Sequence, residues 1–211
     1  MIQNQITNRL EQFYLDLGYD CVIGVDEVGR GSWAGPVVVG AFVYERSSQL
    51  IENVNDSKKL TPKKRITLSS KLEKQNYFLA QSSVEEIDRM NILEATRLAI
   101  KRVISKIESK KMIVLIDGHF KLSFDFEYKC LVKGDAKHYS IAAASILAKV
   151  YRDNLMVDMA KLYPHYGFET NVGYGTKKHR LGLEKYGVCD IHRHSYAPIK
   201  RILNSANKYA S

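Results

Sequence analysis

Carboxylates stand in this sequence where buried apolar chain is expected. Asp26 and Glu27 end the run Cys21-Val22-Ile23-Gly24-Val25, and Asp117 ends Ile113-Val114-Leu115-Ile116. Short apolar runs of this kind predict buried strands. A carboxylate at the end of such a strand is costly unless it is paired or bound to a cation. If the two strands are neighbours, Asp26 and Asp117 face each other across the sheet, and like charges that close push one pKa upward. A divalent cation removes the repulsion. Oxygen ligands alone suit Mg²⁺ or Mn²⁺, whereas zinc prefers His and Cys. Adjacent strand residues point to opposite faces, so Glu27 shares a site with Asp26 only if the strand ends or bulges there, as the following glycines allow. Asp135, in Lys133-Gly134-Asp135-Ala136-Lys137, is a further candidate just before a predicted long helix. A helix N-terminus favours an acid by its dipole alone. The other reading of each acid is a turn cap or an ion pair with nearby Lys or Arg, and the residues alone leave both open.

Other chemistry-bearing residues are weaker signals. The Lys58-Lys59 and Lys63-Lys64-Arg65 runs can contact phosphates, but the second reads better as a solvated helix face. Cys189-x-x-His192-x-His194 has zinc-like residue types, yet no fourth ligand is evident, and zinc is disfavoured.

The bulk properties bound the setting for this chemistry. The chain has 211 residues, enough for one domain with a small extension. Lys and Arg number 32 against 23 Asp and Glu, a formal charge of +9, which attracts polyanions such as nucleic acid. Cys21, Cys130 and Cys189 are far apart and odd in number, which points to reduced thiols in a cytosol-like compartment. The first residues lack the apolar stretch of a secretory leader, and no apolar run approaches the ~20 residues of a spanning helix. A soluble, cytoplasmic protein is expected.

The elements that must position the acids follow from periodicity. A helix is predicted over 3–17 (Ile6, Leu10, Phe13, Leu17), stopping at Gly18. Strands are predicted from Cys21 to Asp26 and Pro36 to Tyr44, joined by the glycine-rich turn Gly29 to Gly35. Thr61-Pro62 opens a helix to about Gln75. A third strand runs from Tyr77 to Val84, and a helix capped by Asn91 covers 91–108. Strands at Met112–Ile116 and Phe126–Val132 follow. A long helix runs from about Ser140 to Leu162, its Ala-rich start suited to close packing on a sheet. Helices from Thr176 to near Gly187 and over Ile199–Lys208 close the chain. The order predicts an α/β fold with a mixed sheet.

Several short motifs then recur in one order. Asp26-Glu27-Val28-Gly29-Arg30-Gly31 resembles the D-E-x-G-R-G signature of the type 2 ribonuclease H family, as in bacterial ribonuclease HII, and Gly35-Pro36-Val37-Val38 follows as it does there. Asp56-Ser57-Lys58-Lys59-Leu60 is similar to its D-S-K-K-L, and Leu115-Ile116-Asp117-Gly118 to its I-D-G. Lys133-Gly134-Asp135 with Ile141-Ala142-Ala143-Ala144-Ser145-Ile146-Leu147-Ala148-Lys149-Val150-Tyr151-Arg152-Asp153 resembles a G-D…A-A-S-I-L-A-K-V-x-R-D block. Tyr166-Gly167-Phe168, Gly173-Tyr174-Gly175-Thr176…His179 and His192-Arg193-His194-Ser195-Tyr196-Ala197-Pro198 complete the resemblance over about 21–200. Ser32-Trp33, His119 and Tyr196 depart from the usual pattern, and none touches an acid.

The resemblance implies a ribonuclease H-like α/β fold: a mixed five-stranded sheet flanked by helices in a single catalytic domain over 1–211. Residues from about 165 to 211 would be an appended helical substrate-binding lobe. It implies that Asp26, Glu27, Asp117 and Asp135 are catalytic and hold two Mn²⁺ or Mg²⁺ ions. It implies that Gly29, Arg30 and Gly31 read the ribose 2′-hydroxyl by backbone groups, that Tyr174 packs on the sugar beside the scissile junction, and that Lys58 contacts phosphate. The implied substrates are RNA–DNA hybrids and duplex DNA with embedded ribonucleotides, cut to 5′-phosphate and 3′-hydroxyl ends. The setting would be ribonucleotide and primer removal by a cytoplasmic monomer. From the residues alone, Gly29 and Gly31 serve equally as a tight turn, and Tyr174 as a half-buried aromatic beside a helix start. Two rivals remain: a binding protein of the same fold without catalysis, and another nuclease of the superfold that acts on DNA.

Overall fold

The computed structural model describes residues 6–123 and 125–209. The elements run α1 (Arg9–Asp16), β1 (Cys21–Val28), β2 (Val37–Tyr44), α2 (Pro62–Leu72), β3 (Tyr77–Ser82), α3 (Val84–Met90) and α4 (Ile92–Ile104). They continue with β4 (Met112–Asp117), β5 (Glu127–Leu131), α5 (Tyr139–Leu162), α6 (Phe168–Asn171), α7 (Lys177–Tyr186) and α8 (Ala197–Tyr209). Short 3-10 turns lie at Ser57–Lys59 and Gly134–Ala136. The sheet order is β3-β2-β1-β4-β5, with β1 antiparallel to β2 and parallel to β4, and β4 parallel to β5. This is the expected mixed five-stranded α/β sheet.

The chain groups into two compact units. One carries the described residues of 1–28, 38–80 and 99–150, and the other those of 29–37, 81–98 and 151–211. In the first, alternate strand residues feed two apolar layers, as a sheet covered on both faces requires. Val22, Phe42, Ile113 and Leu115 pack with Leu15 of α1, Leu68 and Leu72 of α2 and Ile141–Leu147 of α5. Ile23, Val25, Ala41, Val114 and Ile116 pack with Ala99, Ile100, Val103 and Ile104 of α4.

The start of α5 lies unusually close to the sheet. A Cβ on Gly24 would fall 2.1 Å from the Ser140 carbonyl carbon, and one on Gly40 would fall 2.6 Å from the Ala144 oxygen. The Ala142-Ala143-Ala144 run is fully buried against these glycines. The helix N-terminus needs partners for its exposed amides. Tyr139 N donates to Thr7 O at 3.1 Å, and Ser140 N donates to the buried Glu11 Oε1 at 2.8 Å. In the second unit, Ala34, Met156, Tyr166, Phe168, Leu183 and Ile199 form the core.

Three local expectations are corrected. The third strand stops at Ser82, because Ser83 and Glu86 form a reciprocal capping box that starts α3. Asn91 does cap α4, accepting from Leu93 N and Glu94 N, but that helix ends at Ile104 rather than 108. The first helix begins at Arg9, with Thr7 bridging His138. Residues 3–5 of its predicted span lie outside the described residues.

The close approach of α5 predicts that Gly24→Ala is destabilising by about 3 kcal/mol, since the helix backbone cannot yield without moving. Denaturant unfolding measures this, and an unchanged midpoint would show that the contact does not limit packing.

Candidate active site

β1 and β4 are adjacent and parallel, with Val25 opposite Ile116. The next step along each strand sets Asp26 beside Asp117. Asp26 follows Val22 and Gly24 on the face that meets α5, and its antiparallel partner is Gly40. The loop after β5 brings Asp135 to the same place. Asp26, Asp117 and Asp135 each offer a carboxylate oxygen within 4.8 Å of the others. Asp26 and Asp135 are both 6% exposed, which is rare for unpaired carboxylates.

The backbone ties these acids together. Asp117 Oδ1 accepts from Gly134 N at 2.7 Å, so one acid anchors the turn that carries the next. Asp26 Oδ1 accepts from Glu27 N at 2.8 Å. Ser145 of α5 hydrogen-bonds Asp26 and also lies 2.8 Å from Ser57 Oγ. A hydroxyl has one proton, so when Asp26 is ionised Ser145 donates to it and Ser57 donates to Ser145.

Electrostatics mark the cluster as strained. Burial holds the Asp26 carboxyl well above its usual range, and the charges of Glu27, Asp117 and Asp135 add to this against the Ser145 hydrogen bond. Asp135 is raised by burial, then by Asp117 and Asp56, with Lys58 opposing. Burial alone would lower the Lys58 ammonium, but Asp26, Asp135, Asp56 and Asp117 outweigh it and raise its pKa. Lys58 therefore stands in the field of the acids, oriented by Asp56, whose Oδ1 accepts from Lys58 N at 2.9 Å. The donor set is oxygen only, and the excess of negative charge is buried. It fits a hard divalent cation such as Mg²⁺ or Mn²⁺.

The backbone at Glu27 is regular strand, without the end or bulge that the following glycines allow: Asp26 pairs with Gly40, Glu27 with Val39 and Val28 with Val38 in unbroken register. Glu27 is half-buried beside the cluster and acts on Asp26 through its charge, but the three mutually close acids do not include it.

The glycine-rich turn belongs to the second unit. Gly29 has φ +91, and a Cβ there would fall 2.1 Å from Arg152 Nε. Two fully buried arginines, Arg152 and Arg193, grip the turn by its carbonyls. Arg193 donates to Gly29 O at 2.7 Å, Arg30 O at 2.9 Å and Gly35 O at 2.9 Å. Arg152 donates to Pro36 O at 3.0 Å, Ser32 Oγ at 2.6 Å and Val172 O at 2.9 Å. In a trans peptide C=O and N–H point opposite ways. Holding the Gly29 and Arg30 carbonyls toward Arg193 therefore turns the Arg30 and Gly31 amides away from it. Burial, and next the charge of Arg193, bring Arg152 down to about 10, so it stays charged at neutral pH. Tyr174 stands beside this turn, 40% exposed, its ring 3.6 Å from where a Gly31 Cβ would lie.

Sequence reasoning gives no role to Arg152, Arg193 or Ser145, although each lies inside one of the family-like motifs. No local pattern marks them: Arg152 has exposed neighbours at Tyr151 and Asn154 in α5, and Arg193 lies outside any helix. Among the described residues, the side chains gathered closely enough to hold a metal do not include Cys189, His192 and His194. His192 accepts at Nδ1 from Cys189 N at 2.9 Å, and His194 N donates to Asp88 at 2.8 Å.

Because Asp26 has a folded-state pKa above its unfolded value, the metal-free protein is less stable at neutral pH through this group. It regains that stability as pH falls from the folded value toward the unfolded one. Asp26→Asn is expected to raise the metal-free Tm by about 2–4 °C at neutral pH, the equivalent of about 1 kcal/mol. It should also abolish the Tm rise that Mn²⁺ or Mg²⁺ gives the unmutated chain. Thermal melts with chelator and with each ion check both; an undiminished metal response would take Asp26 out of the metal site.

Comparison with known proteins agrees with this geometry. The family model described as Ribonuclease HII matches residues 23–199. A Ribonuclease HII of Caldicellulosiruptor bescii is 47% identical over 198 residues, covering 93% of this chain and 95% of the relative. One of Enterococcus faecalis is 45% identical, covering 93% and 77%. Among solved structures, the ribonuclease H2 of Pyrococcus horikoshii OT3 superposes with TM-score 0.75 at 27% identity, covering 89% of this chain and 99% of that one. A Bst-RNase HIII in complex with Mn²⁺ shares the fold at TM-score 0.65 and 19% identity. With its sheet order, its three gathered acids and this degree of likeness over nearly its whole length, the chain belongs to the ribonuclease HII family.

Proposed function

We propose that this chain is an endoribonuclease that hydrolyses the RNA strand of RNA–DNA hybrids and cuts on the 5′ side of ribonucleotides embedded in duplex DNA, leaving 5′-phosphate and 3′-hydroxyl ends. The observation that carries the proposal is the trio Asp26, Asp117 and Asp135 within 4.8 Å of one another. With Glu27 beside them, they would hold two divalent cations, Mn²⁺ or Mg²⁺. Such cations supply Lewis-acid polarisation of a phosphodiester and a lower pKa for an attacking water.

The chain's own residues supply positioning. Lys58, raised in pKa by the four surrounding acids, keeps its positive charge and meets a phosphate oxygen. Gly29, Arg30 and Gly31 follow Asp26-Glu27 almost directly in the chain, and their backbone reads the 2′-hydroxyl, which can donate and accept. Tyr174 packs its exposed ring on the sugar next to the cut. The segment from about 165 to 211 serves as the substrate-binding lobe of a single catalytic domain. The net charge of +9 favours the polyanionic partner. No helix among the described residues is long and apolar enough to cross a membrane. A monomer in the cytoplasm that removes ribonucleotides and primers from DNA fits these features.

The deciding assay is cleavage of a labelled DNA duplex carrying one ribonucleotide, with Mg²⁺, Mn²⁺ or chelator. A metal-dependent cut 5′ of the ribonucleotide is expected. Tight binding without cleavage in any metal would leave a binding protein of the same fold, and efficient cutting of all-DNA duplexes would point to a different nuclease. Asp117→Asn is expected to lower kcat by about 10³-fold, roughly 4 kcal/mol of barrier, with duplex affinity retained. Near-normal turnover in saturating metal would remove Asp117 from the chemistry. Tyr174→Ala is expected to slow cleavage at single ribonucleotides more than along continuous hybrids, and equal losses in a side-by-side kinetic comparison would refute a junction-specific role.

A further inference from the structure

His179 and His192 are fully buried, and their Nε2 atoms lie 2.9 Å apart. Trp33, Tyr166 and Phe168 pack around them. Two neutral imidazoles make such a contact only when one Nε2 carries a proton and the other does not. Backbone groups at each end decide which. His192 Nδ1 lies 2.9 Å from Cys189 N, a donor that cannot accept. The Cys189 thiol, 3.1 Å from that nitrogen, can donate to it as well once it is bare. The Cys189 carbonyl, 3.2 Å away, is the more distant partner, and a ring proton aimed at it would stand against the Cys189 N–H at 2.9 Å. His192 is therefore bare at Nδ1 and protonated at Nε2. It donates to His179 Nε2, which leaves the His179 proton on Nδ1. That nitrogen lies 3.0 Å from the Tyr174 carbonyl, an acceptor that cannot donate.

From this geometry we infer that His179 is a positioning residue for Tyr174, locked in its Nδ1–H tautomer by a relay running from Cys189 N through His192. The inference rests on the proposed role of Tyr174 against the sugar and adds the device that aims it. The Tyr174 backbone is held at three points: its carbonyl accepts from His179 and from Thr176 N at 2.8 Å, and its amide donates to Asn171 O at 2.9 Å. The neighbouring Gly173 carbonyl accepts from Trp33 N at 2.7 Å. With the peptide planes on both sides fixed, the Cα–Cβ direction of Tyr174 is fixed, and only side-chain rotation remains to the exposed ring. Burial lowers His179, and burial followed by the neighbouring His179 pushes His192 down to about 4, so both rings are neutral at working pH and the proton order is kept.

Two measurements on the full chain test this. Nitrogen-15 NMR of histidine-labelled protein reads the tautomers directly: the ring proton is expected on Nδ1 of His179 and on Nε2 of His192, and the reverse order in either ring overturns the relay whatever the substrate. Kinetics read the consequence. An Asn amide can occupy the Nδ1 position and donate to Tyr174 O, whereas a Gln amide reaches the Nε2 position instead. His179→Gln is expected to lower kcat at a single embedded ribonucleotide about tenfold with KM little changed, as loss of one buried hydrogen bond allows. His179→Asn is expected to restore most of it. In a Tyr174→Ala background the His179→Gln loss should vanish; a loss that persists undiminished would show that His179 acts elsewhere. If Tyr174→Ala alone leaves cleavage unchanged, the sugar-packing role fails, while the NMR result still decides the relay by itself.

Discussion

Three carboxylates gathered in and beside the middle of a sheet are the constraint around which the first unit is organised. The parallel pairing of β1 and β4 sets Asp26 beside Asp117, and the Asp117–Gly134 hydrogen bond draws the Asp135 turn onto them. Carboxylates this near one another and this buried oppose folding. The surroundings offset part of that cost locally, through Ser145 on Asp26 and the Lys58 charge near all three. A divalent cation is the remaining counterweight. Gly24 and Gly40 belong to the same arrangement, because α5 can bring Ser145 to Asp26 only if nothing stands between that helix and the sheet.

In the second unit the organising groups are cations rather than anions. Arg152 and Arg193 are fully buried and spend their donors on carbonyl and hydroxyl oxygens of the turn after β1 and of the segment before α7. An arginine fork can hold several carbonyls at once, which suits a turn that must keep a fixed shape while presenting backbone amides. The pair His179 and His192 does related work with neutral groups. In both cases polar side chains are buried to hold backbone rather than to meet ligand. Truncating them would cost stability as well as geometry.

Local signals in the sequence compete, and the fold shows which prevail. The capping box at Ser83 and Glu86 is legible in the sequence as a helix start, and it prevails over the run that extends the expected strand to Val84. The glycines after Glu27 suggested a strand end, yet the ladder runs on to Val28. Gly29 instead answers to a positive φ and to the Arg152 side chain that fills the space of its missing Cβ. The buried arginines were the least legible, since an arginine in a motif reads first as a surface charge.

Local periodicity and residue order are enough to give the α/β fold class, the strands that end in acid, the Ala-rich start of α5 and the family. They also pick out the three acids that the fold gathers. The assembled fold alone shows that β1 and β4 are neighbours in the register that sets Asp26 beside Asp117, that Glu27 continues a regular strand, and that Lys58 lies in the field of the acids. It likewise decided which buried polar side chains hold the turn and Tyr174. The reason is physical: pairing register, burial and hydrogen-bond partners are made between residues far apart in the chain, 164 positions for Gly29 and Arg193, and no local pattern carries them.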